Sequence, residues 1–569
     1  MAKFLLLCAR DGRDAPAFQA RAAAVLARLA PDHLRADAAA ASSSGIVAAV
    51  LNGAHSAQQT NAGLLLGMAG GDVPDWDRIG ARPDGSFAIC RWSADSVELV
   101  TDVLATRTIW WALTEELFIA SSSQVAIVSL LGGAEFDEGA VPWMLATGTL
   151  GPSGGWDRRI RRVPPDGVVR LDRAGWTAST ESGDTAFPAD LDPAAARSAL
   201  ESAVAESFDS LDFGTVEWTL PLSGGADSRG ILHQLLRSGR RPSCVTWGRR
   251  EAVTRPGTDA AVARRLAAEA GLPHDYLVIE PDALAPATLV DRFLQNGEGR
   301  IDHVAGYLDG FESWRTLHER GVELVVRGDE AFGWTAVSDE REARASVGLH
   351  LLADFFSAEE RAALGLSDHR VPAELLRRPG ESVAVWRDRL YHQFRAPVVL
   401  AALTDLKLAY VELVNPLISR RIIQAVRRMP DALRTEKRAW VELVRRGKPG
   451  GPFARSGALL EVEAVLKSEA FRQYLRSEIE SPAFARAFSG AFAAHLLGRL
   501  RPEPASAGAR LRLQRWAKSV APAWAIGLAK RLRTKRGPRL NGPTLALRAV
   551  IVAKMRERLE RAAVEGAAA

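Results

Sequence analysis

Residues Glu217 to Leu232 read EWTLPLSGGADSRGIL, and no other stretch constrains the fold as much, because it packs a strand, a glycine turn and a helix start into one short run. Trp218 to Leu222 is apolar enough for a buried parallel strand, and Gly224 and Gly225 let the backbone turn sharply. From Arg229 onward the apolar spacing through Ile231, Leu232, Leu235 and Leu236 is helical. Such a turn leaves amide hydrogens pointing outward at a helix N-terminus, where the dipole and the unpaired donors favour an anion. Ser223 and Ser228 add hydroxyl groups. Asp227 sets a carboxylate beside the same anion, which requires a divalent cation between the two. A bare Gly-Gly turn would be only a turn, whereas the full SGGADS points to phosphate. It lacks the Lys of a Walker loop and the third Gly of a dinucleotide fingerprint, so neither of those chemistries fits.

Strands and helices alternate around this loop. Asp192 and Pro193 supply an N-cap and a first-turn proline for a helix through Ala205. After the loop come a strand at Ser243 to Trp247, a helix at Thr258 to Ala270 closed by Gly271, and a strand at Tyr276 to Ile279. Helices around Leu289 and Trp314 lead to Val322 to Val326, a buried strand ending in Arg327, Gly328, Asp329 and Glu330. This alternation predicts a parallel sheet whose ligands sit at the carboxyl ends of its strands. Beyond it the chain reads as nearly all helical. Upstream, Phe4 to Ala9 reads as a strand, Ala15 to Leu29 as a helix, and Gly85 to Ser121 as consecutive antiparallel strands. A helix near Ala140 and a strand at Gly167 to Leu171 follow. Glu181 to Asp190, polar with Gly and Pro, is a linker candidate. The expected organisation is an α+β domain over 1–190 and a parallel-sheet α/β domain over 191–569, with a basic helical C-terminal region from about 465.

A chain of 569 residues, 47% apolar and 25% charged, has the composition of a soluble globular protein with two or three domains. Cys8, Cys90 and Cys244 are scattered and odd in number, which predicts neither a disulfide framework nor a zinc cluster and fits a reducing cytoplasm. MAKFLLLCARDGRD holds too short an apolar run for a secretory signal, and no run reaches the roughly 20 apolar residues of a membrane span. The net charge of +5 is uneven, because from Arg501 onward roughly sixteen Lys or Arg face four Asp or Glu. That region reads either as solvated helical faces or as a docking surface for an acidic partner, a membrane surface or nucleic acid.

Two acidic groups, Asp227 and Asp329, stand at the ends of two apolar strands and could share one magnesium ion. Asp329 alone could equally be the cap of a helix starting at GDEAF. SGGADS resembles the SGGxDS pyrophosphate loop of ATP pyrophosphatases that make AMP-activated intermediates, the group containing asparagine synthetase. GSFAICRW, LVTDVLATRTIWWA and LFIASSSQVAI resemble the class II glutamine amidotransferase half of those synthetases. RGDEAFGW, ELVNPLISRRII and RTEKRAW resemble their synthetase half. The compact GDE-x-FGW form looks most like lasso peptide cyclases, which activate an Asp or Glu side chain of a precursor peptide with ATP and close it onto the N-terminal amine.

The resemblance implies an Ntn-type amidotransferase-like domain, an ATP-pyrophosphatase domain, and the ligands ATP and Mg2+. It further implies ATP contacts from Leu222, Ser223, Gly224, Gly225, Asp227, Ser228, Trp247, Arg327 and Gly328, metal ligation by Asp227 and Asp329, and catalytic roles for Asp329, Glu330, Lys437 and Glu298. A leader peptidase partner that delivers the peptide is implied as well, with no nucleic acid. Trp247 is open between an adenine contact and a core residue, Lys437 between the active site and a solvated helix, and Glu298 between a substrate-side acid and a loop carboxylate. The later active-site lysine of the relatives has no counterpart, since PFARSGALL offers Arg455.

Departures from asparagine synthetase shape the expected reaction. A glutamine-using domain needs a first-residue cysteine, whereas this sequence starts Met1, Ala2 and places Cys8 inside an apolar strand. The amidotransferase half is therefore expected to be degenerate. Arg327 to Glu330 also leaves no room for the extra Glu of the SGEGSDE-like segment, which suits an amine presented by a peptide rather than ammonia. The alternatives are a small-molecule amide former, such as a beta-lactam synthetase or an asparagine synthetase-like enzyme without glutaminase activity, and a non-catalytic scaffold that retains the loop.

Overall fold

The computed structural model describes residues 3–11, 15–53, 57–70, 75–152, 154–280, 284–459, 465–501 and 540–567. It is a mixed α/β structure whose strands form three sheets. The first, in the order β10-β8-β9-β1-β3-β2, is built from β1 (Lys3–Ala9), β2 (Ala38–Ser43), β3 (Ile46–Leu51), β8 (Trp110–Leu113), β9 (Leu117–Ser121) and β10 (Arg161–Arg162). The second, β12-β11-β7-β6-β5-β4, uses β4 (Ala57–Gln59), β5 (Gly63–Gly70), β6 (Asp84–Trp92), β7 (Ser96–Thr101), β11 (Val168–Asp172) and β12 (Thr177–Glu181). Every pairing in these two sheets is antiparallel.

The alternation of β1 explains how it is buried on both faces. Phe4, Leu6 and Cys8 enter the core between the two sheets, with Leu66, Ala88 and Leu99 opposite. Leu5 and Leu7 point the other way, into a core with Val25 and Leu26 of the helix Ala15–Ala27 and Ile127 of the helix Gln124–Leu131. Hairpin β2/β3 follows the first helix and turns at Ser44 and Gly45, both at positive φ.

The third sheet is wholly parallel, in the order β15-β14-β13-β16-β17, from β13 (Trp218–Pro221), β14 (Ser243–Gly248), β15 (His274–Val278), β16 (Leu324–Val326) and β17 (Glu412–Val414). Asp192 accepts from the amides of Ala194 and Ala195 and opens the helix Pro193–Asp209, as its N-cap and proline require. The helix Asp259–Glu269 is capped by Thr258 rather than including it. Within this sheet, β17 is the strand with no counterpart among those expected from the sequence. It is three fully buried residues in a long helical stretch, too short to show a period.

Strand order reverses between β13 and β16. Connections leave these neighbours toward opposite edges, so the loops at their carboxyl ends diverge and leave a crevice. Glycine Gly328 lies against Asp227, 3.4 Å from its Cβ to the position a side chain on Gly328 would take. The end of β16 therefore comes alongside Asp227 at that crevice.

The basic C-terminal region is only partly a solvated surface. Residues 502–539, which carry most of its charge, lie outside the described residues. The helix Gly542–Ala567 buries Leu545, Val550, Ile551, Val552, Met555 and Leu559 in the core shared with the helix Gln124–Leu131. Its cations are used internally: Arg548 bonds Asp302 at 2.7 Å and the carbonyls of Leu145 and Ala146, and Lys554 pairs with Glu478 at 3.0 Å. No helix among the described residues is long and apolar enough to cross a membrane.

Candidate active site

The SGGADS segment runs from β13 into the helix Ala226–Arg237, whose N-cap, Gly225, supplies no side chain to the first-turn amides. Those amides and the helix dipole face the crevice without an internal acceptor from the cap. The serines shape the loop rather than reach outward: Ser228 Oγ accepts from the Ser223 amide at 3.0 Å and meets Ser223 Oγ at 2.9 Å, while Ser223 Oγ accepts from the Gly225 amide at 3.2 Å. A side chain at Gly224 would overlap Ala454, so close approach fixes glycine there. Leu222 is buried and binds the loop to β14, donating to the Val245 carbonyl at 2.9 Å and accepting from Thr246 Oγ1 at 2.6 Å.

Lys437 gathers the acidic groups. Its Nζ lies 3.1 Å from Asp227 Oδ2 and 2.5 Å from Glu330 Oε1. Trp440 Nε1 donates to Asp227 Oδ1 at 3.0 Å, and the Phe332 amide donates to Glu330 Oε2 at 2.7 Å. Burial pushes the Glu330 carboxyl above its ordinary value; Lys437 opposes that rise, and the nearby Asp227 charge reinforces it. Desolvation works against the Lys437 ammonium, but Glu330 and Asp227 outweigh it and hold the amine above its usual range. The placement of Lys437 depends on two successive left-handed residues, Glu436 at φ 59° and Lys437 at φ 53°. Neither is glycine, so the conformation is costly and must be held by its surroundings. Glu436 supplies the hold, accepting from Thr335 Oγ1 at 3.1 Å and the Ala336 amide at 2.9 Å, while its own amide donates to the Trp334 carbonyl at 2.9 Å.

The stretch Arg327 to Gly333 is irregular, and the next helix is Glu340–Val347. Asp329 is therefore not a helix cap. Its Oδ1 accepts from Arg327 Nη2 at 3.3 Å. Gly333, at φ 118°, packs against the Arg434 carbonyl so closely that any Cβ would overlap it, which accounts for the second glycine of RGDEAFGW. Tyr391 Oη donates to the Glu330 carbonyl at 2.9 Å and roofs the cluster. Beyond Asp329, Lys407 is fully buried and donates to the Leu403 carbonyl, its Nζ 5.9 Å from the Tyr307 ring and 5.7 Å from that of Trp314. Burial drives Lys407 well below the ordinary lysine range, with Arg327 adding to the fall and Asp329 opposing it.

Of the residues expected at the site, the structure brings Ser223, Gly224, Gly225, Asp227, Ser228, Arg327, Gly328, Asp329, Glu330 and Lys437 to the carboxyl ends of β13 and β16. Trp247 is the penultimate residue of β14, half-buried and edge-on to Trp314 with centroids 5.3 Å apart. Glu298 does not join them. It is buried at the C-terminus of the helix Pro286–Gly297, where its carboxylate accepts from Ser123 Oγ and from the Gln124 amide at 2.7 Å. It caps the positive end of the helix Gln124–Leu131, and its own carbonyl takes Trp156 Nε1 at 2.7 Å. Cys8 is buried and paired with Ile46 and Phe118 in the sheet, and burial raises its thiol above the usual range. Trp440 and Tyr391 were not singled out from sequence. The first stands in RTEKRAW three residues after Lys437, one helical turn on, whereas nothing local marks the second.

Asp227 and Asp329 bring two carboxylates to the crevice, and among the described residues no group of three or more His, Cys, Asp or Glu forms a metal cluster. Two carboxylates with the remaining positions left to phosphate oxygens and water is a donor set magnesium accepts.

No protein-family profile matches the sequence. No curated protein matches it either. Among solved structures the chain is similar to glutamine phosphoribosylpyrophosphate amidotransferase from B. subtilis complexed with ADP and GMP, at 10% identity over 61% of this chain and 78% of that one, TM-score 0.21. A second similarity is to a structure described as the allosteric regulatory enzyme of purine biosynthesis, at 10% identity over 61% and 77% of the two chains, also with TM-score 0.21. At that degree of overlap the reading of the site rests on its own residues.

Proposed function

We propose that the protein is an ATP-dependent amide-bond-forming ligase that releases AMP and pyrophosphate, and that its substrate is a precursor peptide closed into a macrolactam, as in lasso peptide cyclases. The observation that carries this reading is the convergence of the SGGADS loop, Glu330 and Lys437 at the switch point of a parallel sheet. A carboxylate and an amine form a salt at neutral pH, so the acid oxygen must first become part of a leaving group. In the proposed reaction the Asp or Glu side chain of the peptide attacks the α-phosphorus of ATP and the bond to the β-phosphate breaks. Pyrophosphate departs toward the loop amides, whose fixed dipoles stabilise its charge. The N-terminal amine then attacks the acyl carbon, AMP leaves, and the amine gives up a proton.

Within this scheme Lys437 places a positive charge where the phosphates gather charge. Glu330, raised by burial, is the carboxylate best matched to accept the amine proton near neutral pH. Mg2+, held by Asp227 and Asp329, would supply screening of the phosphate charge. Leu222, Arg327 and Gly328 line the strand ends, and Trp247 supplies an aromatic edge for the base. Cys8 and Cys90 are both buried, so neither thiol is placed to release ammonia from glutamine, which favours an amine brought by the substrate. A leader-binding partner remains part of the proposal, with the basic C-terminal region as its docking surface.

Titration with Mg-ATP, followed by isotope exchange between pyrophosphate and ATP with acid-bearing peptides that have a free N-terminal amine, tests the reading. Saturable Mg-ATP binding that Asp227→Ala removes, with peptide-dependent exchange, is the expected result. A folded chain that binds no Mg-ATP would refute it.

A further inference from the structure

Residues 449–454 form a strap across the phosphate loop, and four successive carbonyls of this strap are each taken by a side chain from beneath. His233 Nε2 meets the Pro449 carbonyl at 2.9 Å, and Arg265 Nη1 donates to Gly450 at 3.2 Å. Arg229 donates from Nη1 to the Gly451 carbonyl at 2.6 Å and from Nη2 to that of Pro452 at 2.9 Å. The same Nη2 lies 3.5 Å from the Gly224 carbonyl, inside the loop itself. The strap answers in the other direction, since the Ala454 amide donates to the Gly224 carbonyl at 3.0 Å. Phe453 covers the guanidinium, with Cζ 4.4 Å from the ring centroid.

Two features separate Arg229 from an ordinary structural arginine. It is only 2% exposed, yet its guanidinium bonds to carbonyl dipoles and lies under the Phe453 ring, with no carboxylate hydrogen-bonded to it among the described residues. The strap is also the continuation of the helix Arg438–Arg446, whose start holds Lys437 and Trp440 against Asp227. One arginine therefore bridges the loop to the chain that carries the cation on its far side.

Building on the ATP-dependent reading above, we propose that Arg229 is a positioning residue. It clamps the 449–454 strap to the phosphate loop, so that nucleotide phosphates are gripped between loop amides and a fixed strap, and phosphate occupancy tightens the strap. Its planar fork reaches carbonyls on both segments at once, which a lysine ammonium cannot reproduce.

The test uses the full chain and Mg-ATP, with amide hydrogen exchange over 449–456 as one readout and the ATP dissociation constant as the other. In the wild-type chain Mg-ATP should slow exchange across the strap. Arg229→Lys keeps the charge and loses the fork, and Phe453→Ala keeps the arginine and loses its cover. In both variants the strap should exchange equally fast with and without Mg-ATP, and ATP should bind at least about tenfold more weakly. If Arg229→Lys does not fold, Phe453→Ala decides. Wild-type affinity, or retained strap protection, in a folded variant would overturn the clamp while leaving the ligase reading intact. Absence of Mg-ATP binding by the wild-type chain would instead remove the ligase reading on which the clamp rests.

Discussion

Replacing Lys437 by methionine keeps its length and removes the cation that pairs with both Glu330 and Asp227. At the 2.5 Å and 3.1 Å separations to Glu330 and Asp227, each attraction amounts to roughly 6 kcal/mol at an effective dielectric of about 20, most of it offset by desolvation of the groups. Stripping the partner from a buried charge costs about 3–5 kcal/mol, and because Lys437 is 23% exposed and Asp227 31% exposed, the lower end, about 3 kcal/mol at pH 8, is the expected loss. Sign follows from Glu330. Its folded-state pKa is already raised by burial and rises further without Lys437, so the folded chain holds a proton that the unfolded chain has released. Stability from that proton is full at low pH and lost as pH rises through the folded value. The penalty of Lys437→Met should therefore shrink between pH 8 and pH 5. Urea denaturation of the wild-type chain and the variant at both pH values measures it, and Glu330→Gln in the variant background should recover most of the loss as a coupling energy. A penalty that is the same at both pH values, or that Glu330→Gln leaves untouched, would refute the ion cluster as the support of Lys437.

Three other outcomes check the remaining assignments. Cys8→Ala should leave ATP binding and any peptide-dependent exchange unchanged, and a thiol reagent should label Cys8 only after unfolding; a folded variant with activity lost would restore a catalytic role for Cys8. Gly333→Ala should cost about 3 kcal/mol or more, because its positive φ and the adjacent Arg434 carbonyl both exclude a Cβ; a neutral effect on the denaturation midpoint would contradict that packing. Glu298→Gln should cost about 1–3 kcal/mol by removing the charge that caps the helix Gln124–Leu131, with the ATP dissociation constant unaltered; weakened ATP binding at full stability would return Glu298 to the active site.

The sequence by itself determined the local chemistry. Strand, glycine turn and helix start are written in consecutive residues, so the loop, its N-terminal amides and the alternation of strands and helices around it were legible from Trp218 to Leu232. The same holds for the Asp192 cap and the core position of Cys8, because each depends on neighbours within a few residues. Tertiary structure alone decided which distant residues share a space. Strand β17 is too short to carry a pattern, and without it the reversal of strand order that opens the crevice is incomplete. Glu298, between two glycines, looked like a loop acid, and only the arrival of the helix Gln124–Leu131 from far upstream converts it into a cap. Lys437 could have pointed to solvent; a pair of left-handed residues clamped by the 334–336 backbone turns it inward. Residue type and spacing fix what a group can do, whereas the partner that sets its charge and geometry comes from parts of the chain hundreds of residues away.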